Sequence, residues 1–148
     1  MMKTFFSNST LQTERIGEEL ATHLKAGNVV AFLGGLGMGK TAFVRGLARG
    51  LSIKSDVSSP TFSIVHDYGG SPALFHFDMY RVNTWEDLYS TGYFDYLELN
   101  GILAVEWSEN IESALPKDSI FVEISKGEAE DERIIKITGE SIDENFFN

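Results

Sequence analysis

The chain has 148 residues, 43% of them hydrophobic, the size and apolar content of one domain built on one large core, spanning 1–148. Its net charge of −10 and pI near 4.6 argue against a binder of long nucleic acid, which needs a basic stripe with aromatic platforms. Without cysteine there is no disulfide, thiolate metal site or cysteine nucleophile; without an apolar run long enough to span a bilayer, and with a start that turns polar at Ser7, the expected location is cytoplasmic, with no membrane partner.

Ser9 and Gln12 form a capping box, and Ile16, Leu20 and Leu24 recur at helical spacing until Gly27, which predicts an amphipathic helix packed on a sheet. Val29 to Leu33 reads as a buried strand. It runs into Gly34-Gly35-Leu36-Gly37-Met38-Gly39-Lys40-Thr41, a match to GxxxxGKT, after which Val44, Leu47, Ala48 and Leu51 mark the core face of a second helix. Strand, glycine loop and helix together aim backbone N–H groups and the positive end of a helix dipole at an anion, and Lys40 adds a mobile charge. That is a phosphate site.

Ser59-Pro60-Thr61-Phe62 follows, a loop stiffened by Pro60 in which Thr61 offers a hydroxyl to a γ-phosphate. Thr61 to Val65 and Ala73 to Phe77 predict an antiparallel pair joined by the turn-rich Asp67 to Pro72; the DxxG at Asp67 to Gly70 is read as part of that turn, since no NKxD base reader follows. Thr84 starts a short acidic helix closed at Gly92. Ile102 to Val105 is a buried strand ending at Glu106, and Ile120 to Ile124 with Ile134 to Ile137 form a closing hairpin, leaving 139–148 as a loose tail or short helix. The fold class expected is α/β, a P-loop-NTPase-like three-layer α/β/α arrangement with a mixed parallel and antiparallel sheet.

Hydrolysis at such a loop needs Mg²⁺, a carboxylate to hold it and a group to orient water. Thr41 would place its hydroxyl on the metal, and two apolar strands end in an acid, at Asp78 and Glu106. Trp107 reads as core or as a stacking surface, and the scattered His23, His66 and His76 as structural. Charge is split along the chain: residues 1–85 hold 8 basic and 6 acidic side chains, residues 86–148 hold 4 and 16, and Lys40, Arg45, Arg49 and Lys54 are expected close to the nucleotide.

GGLGMGKT, SPTF, HFDMYR and VEW, in this order over about a hundred residues, resemble the TsaE family, also called YjeE. The resemblance implies a bacterial P-loop ATPase, binding ATP or ADP with Mg²⁺, required with the partners TsaB and TsaD for the t6A37 modification of tRNA, which it meets only through the complex. Carried over by position, it implies Leu36, Gly37, Met38, Gly39, Lys40 and Thr41 as phosphate-binding backbone, Lys40 on the β and γ oxygens, and Thr41 and Glu106 as metal ligands. It implies Asp78 as the acid that activates water or orders the metal shell, Thr61 in a switch-like loop, Thr10 and Arg133 near the nucleoside, and Trp107 beside the metal ligand. Gly35 and Met38 depart from the commonest loop, GDLGAGKT, without removing a backbone phosphate contact. Two alternatives share the motif: a module whose nucleotide state sets partner affinity without significant turnover, and a small-molecule kinase. The kinase needs a cationic lid, and only four basic residues follow Arg81.

Overall fold

The computed structural model describes residues 2–34, 39–54, 56, 57, 64–140, 142 and 146. Its strands are β1 (Met2–Ser7), β2 (Val29–Phe32), β3 (Val65–Gly70), β4 (Ala73–Asp78), β5 (Ile102–Glu106), β6 (Ile120–Lys126) and β7 (Arg133–Thr138). The helices are α1 (Thr10–Ala21), α2 (Lys40–Gly50), α3 (Trp85–Ser90) and α4 (Tyr93–Leu97), with a 3-10 stretch at Ser108–Ala114. All seven strands join one sheet in the order β1-β7-β6-β2-β5-β4-β3. Its centre, β6-β2-β5-β4, is parallel, while β3 and the β7-β1 ribbon add antiparallel edges.

The parallel centre follows from composition. β2 and β5 are continuously apolar up to their ends and every one of their residues is buried, as a strand covered on both faces requires. Alternation then splits the core in two. Val30, Phe32, Leu74 and Ala104 face α1 and α2, where Ile16, Leu20, Phe43, Val44 and Leu47 meet them; Val29, Phe75, Phe77, Leu103 and Val105 face the other way, against Leu88 and Tyr93. Helices therefore cover both faces, and the mixed three-layer α/β/α arrangement is the one the sequence predicts.

Ser9 caps α1 by accepting from the Gln12 N–H at 3.1 Å, and Gln12 reaches back to the Asn8 N–H, a capping box shifted by one residue from its usual return partner. The helix stops at Ala21, earlier than the pattern suggests; Gly27, at φ +95°, instead turns the chain into β2 and donates to the Gly101 carbonyl at 2.8 Å. Three further differences are local. β1 pairs with β7 although its sequence carries no strand signal beyond a weak alternation, because an edge strand needs only one buried face. Asp67 to Gly70, read as a turn, is the end of β3: a register shift between Asp67 and Gly70 absorbs the glycines, and the reversal is confined to Ser71-Pro72. Finally, Ile142 and Phe146 are buried, Phe146 with its ring 5.6 Å from Phe5 and 4.9 Å from His23.

Candidate nucleotide-phosphate site

β2 ends in the middle of the sheet and α2 begins at Lys40, so the glycine segment bridges a strand end and a helix start. Gly34 at φ +72° and Gly39 at φ +94° hold left-handed backbone at its two ends, a conformation that glycine adopts without the steric cost of a Cβ. Gly39 is the N-cap of α2 and makes no side-chain cap, so the positive dipole end of this 11-residue helix lies at the glycine segment. Thr41 is the second residue of that turn. Gly35, Leu36, Gly37 and Met38, and Thr61 with the rest of SPTF, lie outside the described residues.

The two acids meet at the same edge. In the parallel β4–β5 pair Asp78 is the register partner of Glu106, and β5 in turn flanks β2, so three adjacent strands deliver Asp78, Glu106 and the glycine segment side by side. Glu106 is buried at 4% exposure, whereas Asp78 is partly open and accepts from the Tyr80 N–H at 3.0 Å. Lys40 is also buried. Burial pushes its ammonium below the usual value of 10.5, while the negative charges of Glu106, Glu109 and Asp78 pull it back up. A buried lysine has already lost part of its hydration shell, so an incoming anion would displace less water from it.

Residues directly after Glu106 lace the strand ends together. Trp107 sits at φ +57°, unusual for a side chain of its size, and its N–H donates to the Gly34 carbonyl at 3.3 Å. The buried Ser108 hydroxyl donates to the Phe32 carbonyl at 2.9 Å, and both oxygens of Glu109 accept from the Gly34 N–H, at 2.9 and 3.0 Å. On the other side, Asn110 donates its amide to the Met79 carbonyl at 2.9 Å. Four consecutive residues thus pin the exits of β2 and β4 around Glu106. Trp107 is half-buried, packed against the core cluster of Phe77 and Val105, with its ring 5.0 Å from that of Tyr80.

Thr10 and Arg133 are brought together. With Ser9, Thr13, Gly39, Ala42 and Asp131 they line a cavity of about 70 Å³ at the N-terminus of α2, a polar recess beside the glycine segment. Arg49 pairs with Glu14 at 2.8 Å and Arg45 with the same carboxylate at 3.5 Å, so both serve the α1–α2 seam. His76, by contrast, is more than a core histidine: its Nε2 lies 2.8 Å from Glu106 Oε2. It lies two residues before Asp78 on the strand and so shares a face with that acid, a placement that by itself does not tell it from a core residue.

Among the described residues no three His, Asp or Glu side chains cluster as an all-protein metal cage. The donors at this edge are instead hard oxygens: two carboxylates and the Thr41 hydroxyl. That set fits Mg²⁺, which takes one or two carboxylates and fills the rest of its shell with substrate phosphates and water.

A family model described as threonylcarbamoyl adenosine biosynthesis protein TsaE matches residues 7–135. The chain is 39% identical over 129 residues to the Bacillus subtilis protein named tRNA threonylcarbamoyladenosine biosynthesis protein TsaE, covering 86% of this chain and 79% of that one. Proteins of the same name from Treponema pallidum and Aquifex aeolicus are 36% and 41% identical over 118 and 114 residues, covering 80% and 74% of this chain and 87% and 79% of theirs. The crystal structure of Bacillus subtilis YdiB superposes with a TM-score of 0.71 at 31% identity, over 94% of this chain and 86% of that one.

Proposed function

The chain belongs to the TsaE family of threonylcarbamoyl adenosine biosynthesis proteins, and from that premise we propose that it binds ATP and hydrolyses it slowly with Mg²⁺, in support of the t6A modification of tRNA and together with the partners TsaB and TsaD. One observation carries the hydrolytic reading: Glu106 ends the strand beside β2, and Asp78 is its register partner on the next strand out. In this reading the backbone from Leu36 to Thr41 cradles the phosphates and Lys40 neutralises the β and γ oxygens. Thr41 and Glu106 hold Mg²⁺. When bound, the metal neutralises charge that develops on the phosphoryl oxygens. Asp78, the more open of the two acids, orients the attacking water, and Thr61 senses the γ-phosphate from its loop. The recess lined by Thr10 and Arg133 receives the nucleoside, with Trp107 beside the metal position. The acidic balance of residues 86–148 supports contact with tRNA only through the complex.

Phosphate release tests this directly, for the wild type and Lys40→Ala, alone and with the two partner proteins. Turnover is expected to be slow alone, faster in the complex and at least about 100-fold lower in the variant, since a preorganised cation on the transferred group is worth a few kcal/mol. Absence of ATP turnover in every combination would remove the enzyme reading.

A further inference from the structure

We propose that His76, backed by Tyr68, is a positioning residue that aims the Glu106 carboxylate at the metal; this rests on the reading of Glu106 as a metal ligand. His76 is fully buried in a strand whose neighbours on that face are the apolar Leu74 and Ala104, a place that sequence physics would fill with Val, Ile or Leu. A buried imidazole persists there only if both nitrogens are used. Both are. Nε2 meets Glu106 Oε2 at 2.8 Å, and Nδ1 meets the Tyr68 hydroxyl at 3.1 Å, which itself lies 3.4 Å from His66 Nδ1. A carboxylate can only accept, so Nε2 carries a proton and donates it to Glu106, while the Tyr68 hydroxyl engages the opposite edge of the ring, and one ring orientation is selected.

The consequence falls on Glu106. Oε2 is held by the imidazole, leaving Oε1 as the oxygen that a metal would take. Lys40, also buried, is the competitor, since it is attracted by the same carboxylate. Released from His76, Glu106 would be drawn toward Lys40, and both groups would leave their stations at the phosphates together. Outer partners of this kind change metal affinity by about 10–100-fold when removed.

Mn²⁺ serves as the probe, with free metal counted by electron paramagnetic resonance in the presence of ADP. Metal-free ADP affinity and thermal unfolding report general damage. His76→Leu, which fills the space without a donor, is expected to weaken Mn²⁺ binding by about 10–100-fold while metal-free ADP affinity stays within about twofold. His76→Gln, whose amide donates from a similar reach, should recover most of the loss. Tyr68→Phe, expected to weaken Mn²⁺ by several-fold, decides the matter if His76→Leu does not fold. Wild-type Mn²⁺ affinity in a folded His76→Leu, or in Tyr68→Phe where the leucine variant is unfolded, overturns the proposal, as does a His76→Gln no better than His76→Leu. Glu106→Gln separates the two readings: wild-type Mn²⁺ affinity there overturns Glu106 as a ligand, whereas loss there with no loss at His76 overturns only the positioning role.

Discussion

Tyr93 lies fully buried on the face of the sheet away from α1 and α2, edge-on to Phe77 with ring centroids 6.0 Å apart, and donates its hydroxyl to the Ala114 carbonyl at 3.0 Å. Burial pushes the phenol up to about 12 from 10.0. In the unfolded chain the phenol ionises near pH 10 while the folded one keeps its proton, so its contribution is intact below pH 10 and is lost between pH 10 and 12. A rise of that size corresponds to roughly 2–3 kcal/mol. Urea unfolding of the wild type should therefore fall steeply above pH 10. Tyr93→Phe is expected to cost about 1 kcal/mol at pH 8, through the lost hydrogen bond, and to flatten the alkaline slope. Equal slopes in the two proteins would assign the alkaline loss to another group. Lys40 shows the opposite strain. Its ammonium is kept where burial disfavours charge, and the carboxylates of Glu106, Glu109 and Asp78 offset part of that cost.

At the level of elements, the α1–α2 seam sets where the phosphate segment can sit, because α2 is held against α1 by backbone-to-backbone approach. A Cβ added at Gly46 would come within 2.0 Å of the Glu14 carbonyl oxygen, and one at Gly17 within 2.3 Å of that of Phe43. Ala is the better helix former by about 1 kcal/mol, yet here the clash is with backbone, which cannot rotate away. Gly46→Ala is expected to destabilise by about 2 kcal/mol or more in chemical denaturation, and Gly17→Ala similarly; a neutral or stabilising result would mean that the helices part easily. The pattern of α2 was legible in the sequence as a core face of Val44, Leu47, Ala48 and Leu51, but these glycines were silent, since the need for no side chain is a property of the neighbour. For the same reason β1 was hidden: Met2–Ser7 pairs with β7 through backbone groups that composition does not encode. Strand ends were legible where a long apolar run met an acid, as at Asp78 and Glu106, because burial on both faces leaves little ambiguity. His76 lay in such a run, and its role became visible only with the register that sets it diagonally across from Glu106.

Over the whole molecule, charge is arranged so that the phosphate edge depends on few cations. The basic excess of residues 1–85 is partly engaged by Glu14 on the α1–α2 seam, and Lys40 is surrounded by Glu106, Glu109 and Asp78. Nucleotide phosphates alone would enter against that negative field, relieved mainly by Lys40 and the start of α2; a divalent cation, if held by Glu106 as proposed, would convert repulsion into attraction. Binding should therefore be strongly coupled to the metal, and the coupling can be read from stability, because a ligand that binds only the folded state stabilises it by about 2.7 kcal/mol at 100 times its Kd. For a chain of this size that corresponds to roughly 5–10 °C in Tm. ADP with Mg²⁺ is expected to raise Tm by that amount in differential scanning fluorimetry, and EDTA to reduce the shift to a small remainder. Glu106→Gln should keep the remainder and lose the Mg²⁺-dependent part, whereas Lys40→Ala should lose both. A full shift in EDTA would mean that the carboxylates stand clear of the phosphates, and that the Asp78–Glu106 edge serves something other than a metal-bound nucleotide.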